Sequence, residues 1–293
     1  GSRNPSLSGT ARRLLVARGT VGDSVLLYYQ NQEDSSYYAC ETALAYTGRM
    51  AEALDAYSGG GALFAFEQGP ESAYSGLDPY VLLSAAPLSP RVYRGSNPLS
   101  GDSAAVERVR QALSFRSQSD GGYAVQGGVR FREGRETLEI LDKGTVTYHA
   151  SEPAASRYAL DEGSAAGLTE HVEAAWRLAE ATVGSLCGEG RLYLMDVLES
   201  GGGTAVRLGY TLDGAAVELS GGGEAARFFI REGYITDYTL QFRCYEDTGS
   251  QSLVLRELQA AAALEALSPP GRELVLRYGD GGGETVEAGW VAG

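Results

Sequence analysis

The sequence predicts an α+β protein made of two units of antiparallel sheet, with helices packed on one face of each. Three observations point there. Four stretches carry apolar residues at helical spacing, strand-like alternation fills the segments between them, and glycine clusters such as Gly59 to Gly61 and Gly201 to Gly203 punctuate the junctions.

The first helix is expected over 36–57, where Ala39, Ala43, Tyr46, Met50, Leu54 and Tyr57 recur at helical spacing and Gly59 stops the run. A second is expected over 103–115, with Val106, Val109 and Leu113 inward. The third opens at Ser164 as N-cap, carries Leu168, Val172, Ala175, Ala179, Val183 and Leu186 on one stripe, and ends at Gly188. A fourth, over 252–267, is stopped by Ser268-Pro269-Pro270-Gly271. Its polar residues Arg256, Glu257, Gln259 and Glu265 surround it, so a helix covered on more than one side is expected.

Residues 234–245 alternate over their whole length, the pattern of a half-buried strand, and pair with 226–231 across the Glu232-Gly233 turn. Segments 191–198, 204–212 and 215–219 add three strands, the last two joined at Asp213-Gly214. A hairpin of 273–278 with 284–291 closes the chain. In the first half, 123–126, 129–133, 137–141 and 145–150 form a meander. Segments 24–29 and 62–67 are strands flanking the first helix, and 79–86 fits either helix or strand.

The order helix, strand, turn, strand occurs in both halves, with a charged-Gly turn before a Thr/Tyr-rich strand each time. Pro153 interrupts the pattern, which divides the chain into an N-terminal unit, 1–152, and a C-terminal unit, 153–293.

Charge narrows the function classes. The chain has 24 basic and 38 acidic residues, net −14, and this field repels phosphate backbones and anionic lipid heads, so no nucleic-acid partner is expected. No apolar run reaches the ~18 residues a membrane helix needs. The chain opens Gly1-Ser2 with no methionine, the pattern a cleaved tag leaves. A signal peptide, an anchoring helix or a trimmed disordered tail is therefore expected to precede it naturally, and membrane attachment would come only through such an anchor.

The usual chemical vocabulary is sparse. Lys143 follows Asp142 with no phosphate loop around it, and the glycine clusters do not open a helix after a strand. His149 and His171 stand on separate elements without a nucleophile elbow or zinc-binding helix motif, so neither a cofactor nor a metal is expected. Cys40, Cys187 and Cys244 form no C-x-x-C pair; Cys187 and Cys244 read as small buried hydrophobes, with one disulfide left open. Asp196 and Asp237, both in strand patterns, are the acids to check for a carboxylate hydrolase. Eighteen tyrosines against seven phenylalanines fit either a surface contacted by others or sheet propensity. Trp290 either staples the last strand to the core or belongs to an interface.

The run Tyr210 to Gly214 leading to Val217, the turn and strand Glu232 to Tyr238, the helix Leu258 to Leu267, and Leu274 to Tyr278 running on to Gly289-Trp290-Val291 resemble the extracytoplasmic domains of the YycH/YycI regulatory proteins. The resemblance covers at most residues 160–293, and Ala288-Gly289 stands before Trp290 where family members often carry proline. It implies PepSY-like α+β units, an N-terminal membrane anchor and contact with the sensor kinase of a Gram-positive cell-wall two-component system. It implies no catalytic role and supplies no site residues.

The function expected is thus a non-enzymatic, membrane-anchored extracytoplasmic module that modulates a sensor kinase or another envelope protein. The alternatives are a small-molecule or cell-wall-fragment binder, with a tyrosine-lined pocket between the units, and the carboxylate hydrolase.

Overall fold

The computed structural model describes residues 11–19, 22–31, 36–56, 62–69, 72–84, 88–115, 122–161, 163–267 and 273–292. The chain divides into two compact units, Gly1–Gly61 and Ala62–Gly293.

The first unit is a meander, β1 (Ala11–Arg18), β2 (Ser24–Asn31) and β3 (Tyr37–Ala45), followed by α1 (Gly48–Ala56). The helix expected over 36–57 is therefore half strand. Tyr37, Tyr38, Cys40 and Thr42 suit a pleated surface, and β2 supplies a partner, with Tyr29 stacked on the opposed Tyr38 at 5.2 Å. Helical spacing of alanines could not reveal that partner.

The second unit opens with a short ribbon, β4 (Leu63–Phe64) against β5 (Leu82–Leu83), then β6 (Arg91–Ser96) and α2 (Ser103–Ala112). The expected meander follows as β7 (Gly122–Val125), β8 (Gly128–Glu133), β9 (Glu136–Leu141) and β10 (Thr145–Ala150). After α3 (Leu168–Ala181) come β11 (Arg191–Ser200), β12 (Gly203–Leu212), β13 (Ala215–Leu219), β14 (Ala226–Arg231), β15 (Tyr234–Gln241) and β16 (Cys244–Gln251). The unit ends with α4 (Glu257–Leu267) and the hairpin β17 (Leu274–Asp280) and β18 (Thr285–Ala292).

Thirteen of these strands join in one sheet, ordered β16-β6-β18-β17-β13-β12-β14-β15-β10-β9-β8-β7, with β11 on the far side of β12. This corrects the expected fold class. Strands hold 48% of the described residues and helices 23%, so the protein is mainly β, with one large mixed sheet instead of two antiparallel units carrying helices. The physical reason is pairing at long range. The boundary expected at 152/153 is bridged by β10 and β15, in register from Thr145↔Gln241 to His149↔Asp237. β13 and β17 pair in parallel, from Ala216↔Arg277 to Leu219↔Asp280, which makes the sheet mixed. Alternation of apolar residues is the same whether a strand's partner is its hairpin neighbour or lies a hundred residues away.

Two turns behave as expected: Asp213-Gly214 and Glu232-Gly233 hold φ of 49°, 81°, 53° and 79°, the left-handed pairs that join strands tightly. The strand expected over 234–245 instead breaks at Phe242-Arg243 into β15 and β16. Three helices are shorter than expected, and α3 starts after Gly167, whose amide donates to the Glu170 carboxylate at 2.8 Å, with Ser164 in a preceding turn.

The main core lies on one face of the sheet. Val206, Phe228, Tyr238, Tyr148 and Leu138 make one cross-strand row over β12, β14, β15, β10 and β9, every one at most 3% exposed. Ala175 and Ala179 let α3 approach this row closely, and Phe115, just past α2, meets Tyr148 edge to face at 6.1 Å. On the opposite face a polar row runs Asp196, Arg207, Arg227, Thr239, Thr147, Glu139, Arg130 and Tyr123 across β11 to β7.

Candidate interaction surface

Residues 62–69 and 72–84 form a small lobe with a core of its own. The strand expected over 62–67 ends at Phe64 and gives way to a 3-10 turn, Ala65–Gln68, which turns Ala65 inward with Val81 and Leu83 against Leu77, Ala260 and Ala261 of α4, and Leu274 of β17. Phe64, Phe66, Tyr80 and Leu82 face outward. Phe66 is 53% exposed and Leu82 58%.

The outward rings touch one another. Phe64 and Phe66 stack with centroids 5.6 Å apart, and Tyr80 stands edge-on to both, at 6.4 and 5.6 Å. Their backbone is fixed from below: Ala65 N donates to Val81 O at 2.8 Å, Phe66 N to Pro79 O at 2.9 Å, and Tyr80 N to the Asp78 carboxylate at 2.9 Å. The rings are thus held in place before any partner arrives, which lowers the ordering cost of binding. Beside them a groove of about 320 Å³ is lined by Ala65, Phe66, Gly69, Tyr74, Ser75, Leu77 and Pro79.

The irregular segment before α4 and the first turn of that helix expose Leu253, Leu255 and Leu258. The helix is tied to the lobe by Ser84 N, which donates to both oxygens of Glu257 at 2.9 and 3.1 Å. Burial raises the pKa of the Glu257 carboxyl, only partly offset by the Ser84 amide. Trp290 packs against the same small core and donates from Nε1 to Leu255 O at 2.8 Å, so it staples the last strand as the first of its two readings had it.

The residues singled out in the sequence fall elsewhere. Asp196 and Asp237 share the polar face, but β12 and β14 lie between their strands, which puts those strands roughly 14 Å apart. That exceeds the ~5–9.5 Å between glycosidase carboxyls. Each acid already has a partner: Arg207 at 2.8 Å from Asp196, and His149 Nδ1 at 2.6 Å from Asp237. His171 meets Thr204 Oγ1 at 2.9 Å. Among the described residues no three His, Cys, Asp or Glu gather to hold a metal ion, and no helix is long and apolar enough to cross a membrane. Two further open grooves, of about 420 and 330 Å³, hold no tyrosine but Tyr158.

The tyrosines explain their own abundance. Tyr93, Tyr148, Tyr210, Tyr238, Tyr245 and Tyr278 are all buried in the main core, where a ring fills space and its hydroxyl meets a polar group. Sheet propensity and packing account for them. Tyr28, Tyr37 and Tyr123 are exposed as well, but the exposed aromatic cluster is built from Phe64, Phe66 and Tyr80.

One interior cluster has a direct pH consequence. Glu136 accepts from Tyr148 OH at 2.6 Å, from Arg157 N at 2.9 Å and from the Arg157 guanidinium at 2.8 and 3.0 Å. Burial alone would raise its carboxyl, but these donors outweigh burial and hold it below the ordinary glutamate value. An acid depressed in the folded state stabilises at neutral pH, and that contribution disappears as pH falls through the depressed value. The urea midpoint is therefore expected to drop between about pH 5 and 3, and Glu136→Gln to show a lower midpoint at pH 7 with a flatter acid limb. Parallel curves for the two proteins would refute this.

Comparison with protein-family models, with curated proteins and with solved structures returned no match to this chain.

Proposed function

We propose that the chain is a non-enzymatic extracytoplasmic regulatory module, tethered to the membrane, that docks on a protein partner through the surface around Phe66. The observation that carries the reading is the outward, mutually stacked set Phe64, Phe66 and Tyr80 on a braced backbone beside an apolar groove. Rigid aromatics flanking a pocket are the commonest anchors of protein interfaces. Covering about 200 Å² of such surface contributes about 5 kcal/mol before the costs of association. The net charge of −14 supports a protein partner over a nucleic acid. The resemblance of 160–293 to the YycH/YycI domains supports the partner class, a membrane sensor kinase or a homologous regulator.

The test is binding of the purified protein to the extracytoplasmic domain of a membrane sensor kinase from the same organism. Phe66→Glu and Tyr80→Ala are expected to weaken binding at least tenfold, about 1.4 kcal/mol. Because both positions are exposed, thermal unfolding should shift little. Unchanged affinity in both variants, or no binding by the parent protein, would refute the reading.

A further inference from the structure

We infer that Cys187 and Cys244 form a reversible disulfide when the protein meets a low-molecular-weight disulfide such as oxidised glutathione. Both are free thiols here, and nothing in local sequence links them. The fold does. Gly188 and Tyr245 make a parallel bridge, in which Tyr245 N donates to Cys187 O at 3.1 Å and Glu189 N donates to Tyr245 O at 2.9 Å. The first of these bonds sets the peptide that joins Cys244 to Tyr245 against the carbonyl of Cys187, which makes the two cysteines neighbours across the bridge. Backbones joined by such a bond run about 4.8 Å apart, a spacing of the order that a disulfide spans between its Cα atoms, ~4.4–6.8 Å.

The side chains are near as well. Cys244 Sγ is 3.1 Å from the position a Cβ on Gly188 would take, so it leans over the residue adjoining Cys187. Each thiol is shifted upward by burial, and the charge of Cys244 also acts on Cys187. In the reduced protein Cys187 Sγ turns back to the carbonyls of Gly184 and Gly190, at 3.0 and 3.1 Å. Sulfur donors are weak, so a rotation about the Cα–Cβ bond gives up little.

Access sets the order of steps. Cys244 is half-buried and Cys187 only 3% exposed, so Cys244 reacts first. Its thiolate attacks one sulfur of oxidised glutathione, forming a mixed disulfide and releasing one glutathione thiolate. Cys187 then loses its proton to solvent and attacks Cys244 Sγ, which expels the second glutathione. Two protein thiols and one glutathione disulfide thus become one protein disulfide and two glutathione thiols. The bond would pin the turn after α3 to the start of β16. Both thiols being raised, the exchange should run faster at alkaline pH.

The inference is independent of partner docking and is tested on the chain alone. Cys40→Ser leaves only this pair. Incubated with oxidised glutathione, that protein should lose two hydrogen atoms, leave no thiol titratable after denaturation, and melt several degrees higher, all reversed by dithiothreitol. Peptide mapping of the unsubstituted chain should show the 187–244 cross-link directly. Cys187→Ser should instead accumulate a stable glutathione adduct on Cys244. A persistent adduct with Cys187 present, or two free thiols after prolonged incubation, would overturn it.

Discussion

Asp280→Ala is expected to lose about 3 to 5 kcal/mol of stability, the scale of breaking a buried ion pair from one side. Asp280 is 2% exposed and sits at the end of β17, where it accepts from Arg243 Nε at 2.7 Å and Nη2 at 2.8 Å, from Tyr245 OH at 3.0 Å and from Gly282 N at 2.9 Å. Arg243, 8% exposed, lies at the bend between β15 and β16, and among the described residues its one other acceptor is Gly283 O, at 2.8 Å. Removing the carboxylate strands a guanidinium in the core together with a tyrosine hydroxyl. The guanidinium packs into the space that Gly95 leaves open, where a Cβ would clash with its Nη2. Urea unfolding followed by tryptophan fluorescence measures the loss. A change under about 1 kcal/mol would show that Arg243 reaches water and that the bend does not depend on this pair.

Gly188→Ala should cost about 3 kcal/mol, from two independent sources. Gly188 holds φ at +63°, where a Cβ is strained, and that Cβ would stand 2.3 Å from Tyr245 O, a backbone atom that cannot swing aside. The bridge to Tyr245 must open, and with it the two hydrogen bonds that join the turn to β16. Gly134→Ala, also at positive φ but with open space around its Cβ, serves as the control and should cost only about 1 kcal/mol. Equal losses in the two variants would mean that the close approach at Tyr245 carries no weight. The variant should also fail to close the Cys187 to Cys244 bond, since the register that opposes them is gone.

How much of this was legible beforehand follows from what sequence encodes. Local chemistry showed: Asp213-Gly214 and Glu232-Gly233 mark hairpins because only a few residues tolerate their dihedrals, and the meander from β7 to β10 alternates visibly. Partner choice did not. β6, Arg91–Ser96, was invisible as a strand because six residues after Pro90 carry little pattern, yet it lies between β16 and β18. The run 37–45 was read as helix because alanine spacing fits both periods when the neighbouring strand is unknown. The interaction surface escaped for a related reason. Phe64 and Phe66 belong to a segment read as a strand, but nothing in its composition says which side is covered, and only the second small core under α4 decides that Ala65 faces in. Asp196 and Asp237, by contrast, were chosen by residue type alone, and ladder order separates them.

The placement of β6 bears on how the molecule is made. This strand leaves the ribosome well before the segments that flank it, Cys244–Gln251 and Thr285–Ala292, which lie far downstream. Until those segments emerge, its backbone amides and carbonyls lack their native strand partners, and the closing of so wide a loop is slow. The nascent polypeptide therefore waits with adhesive edges bare, and its safe delivery depends on whatever escorts it through that interval.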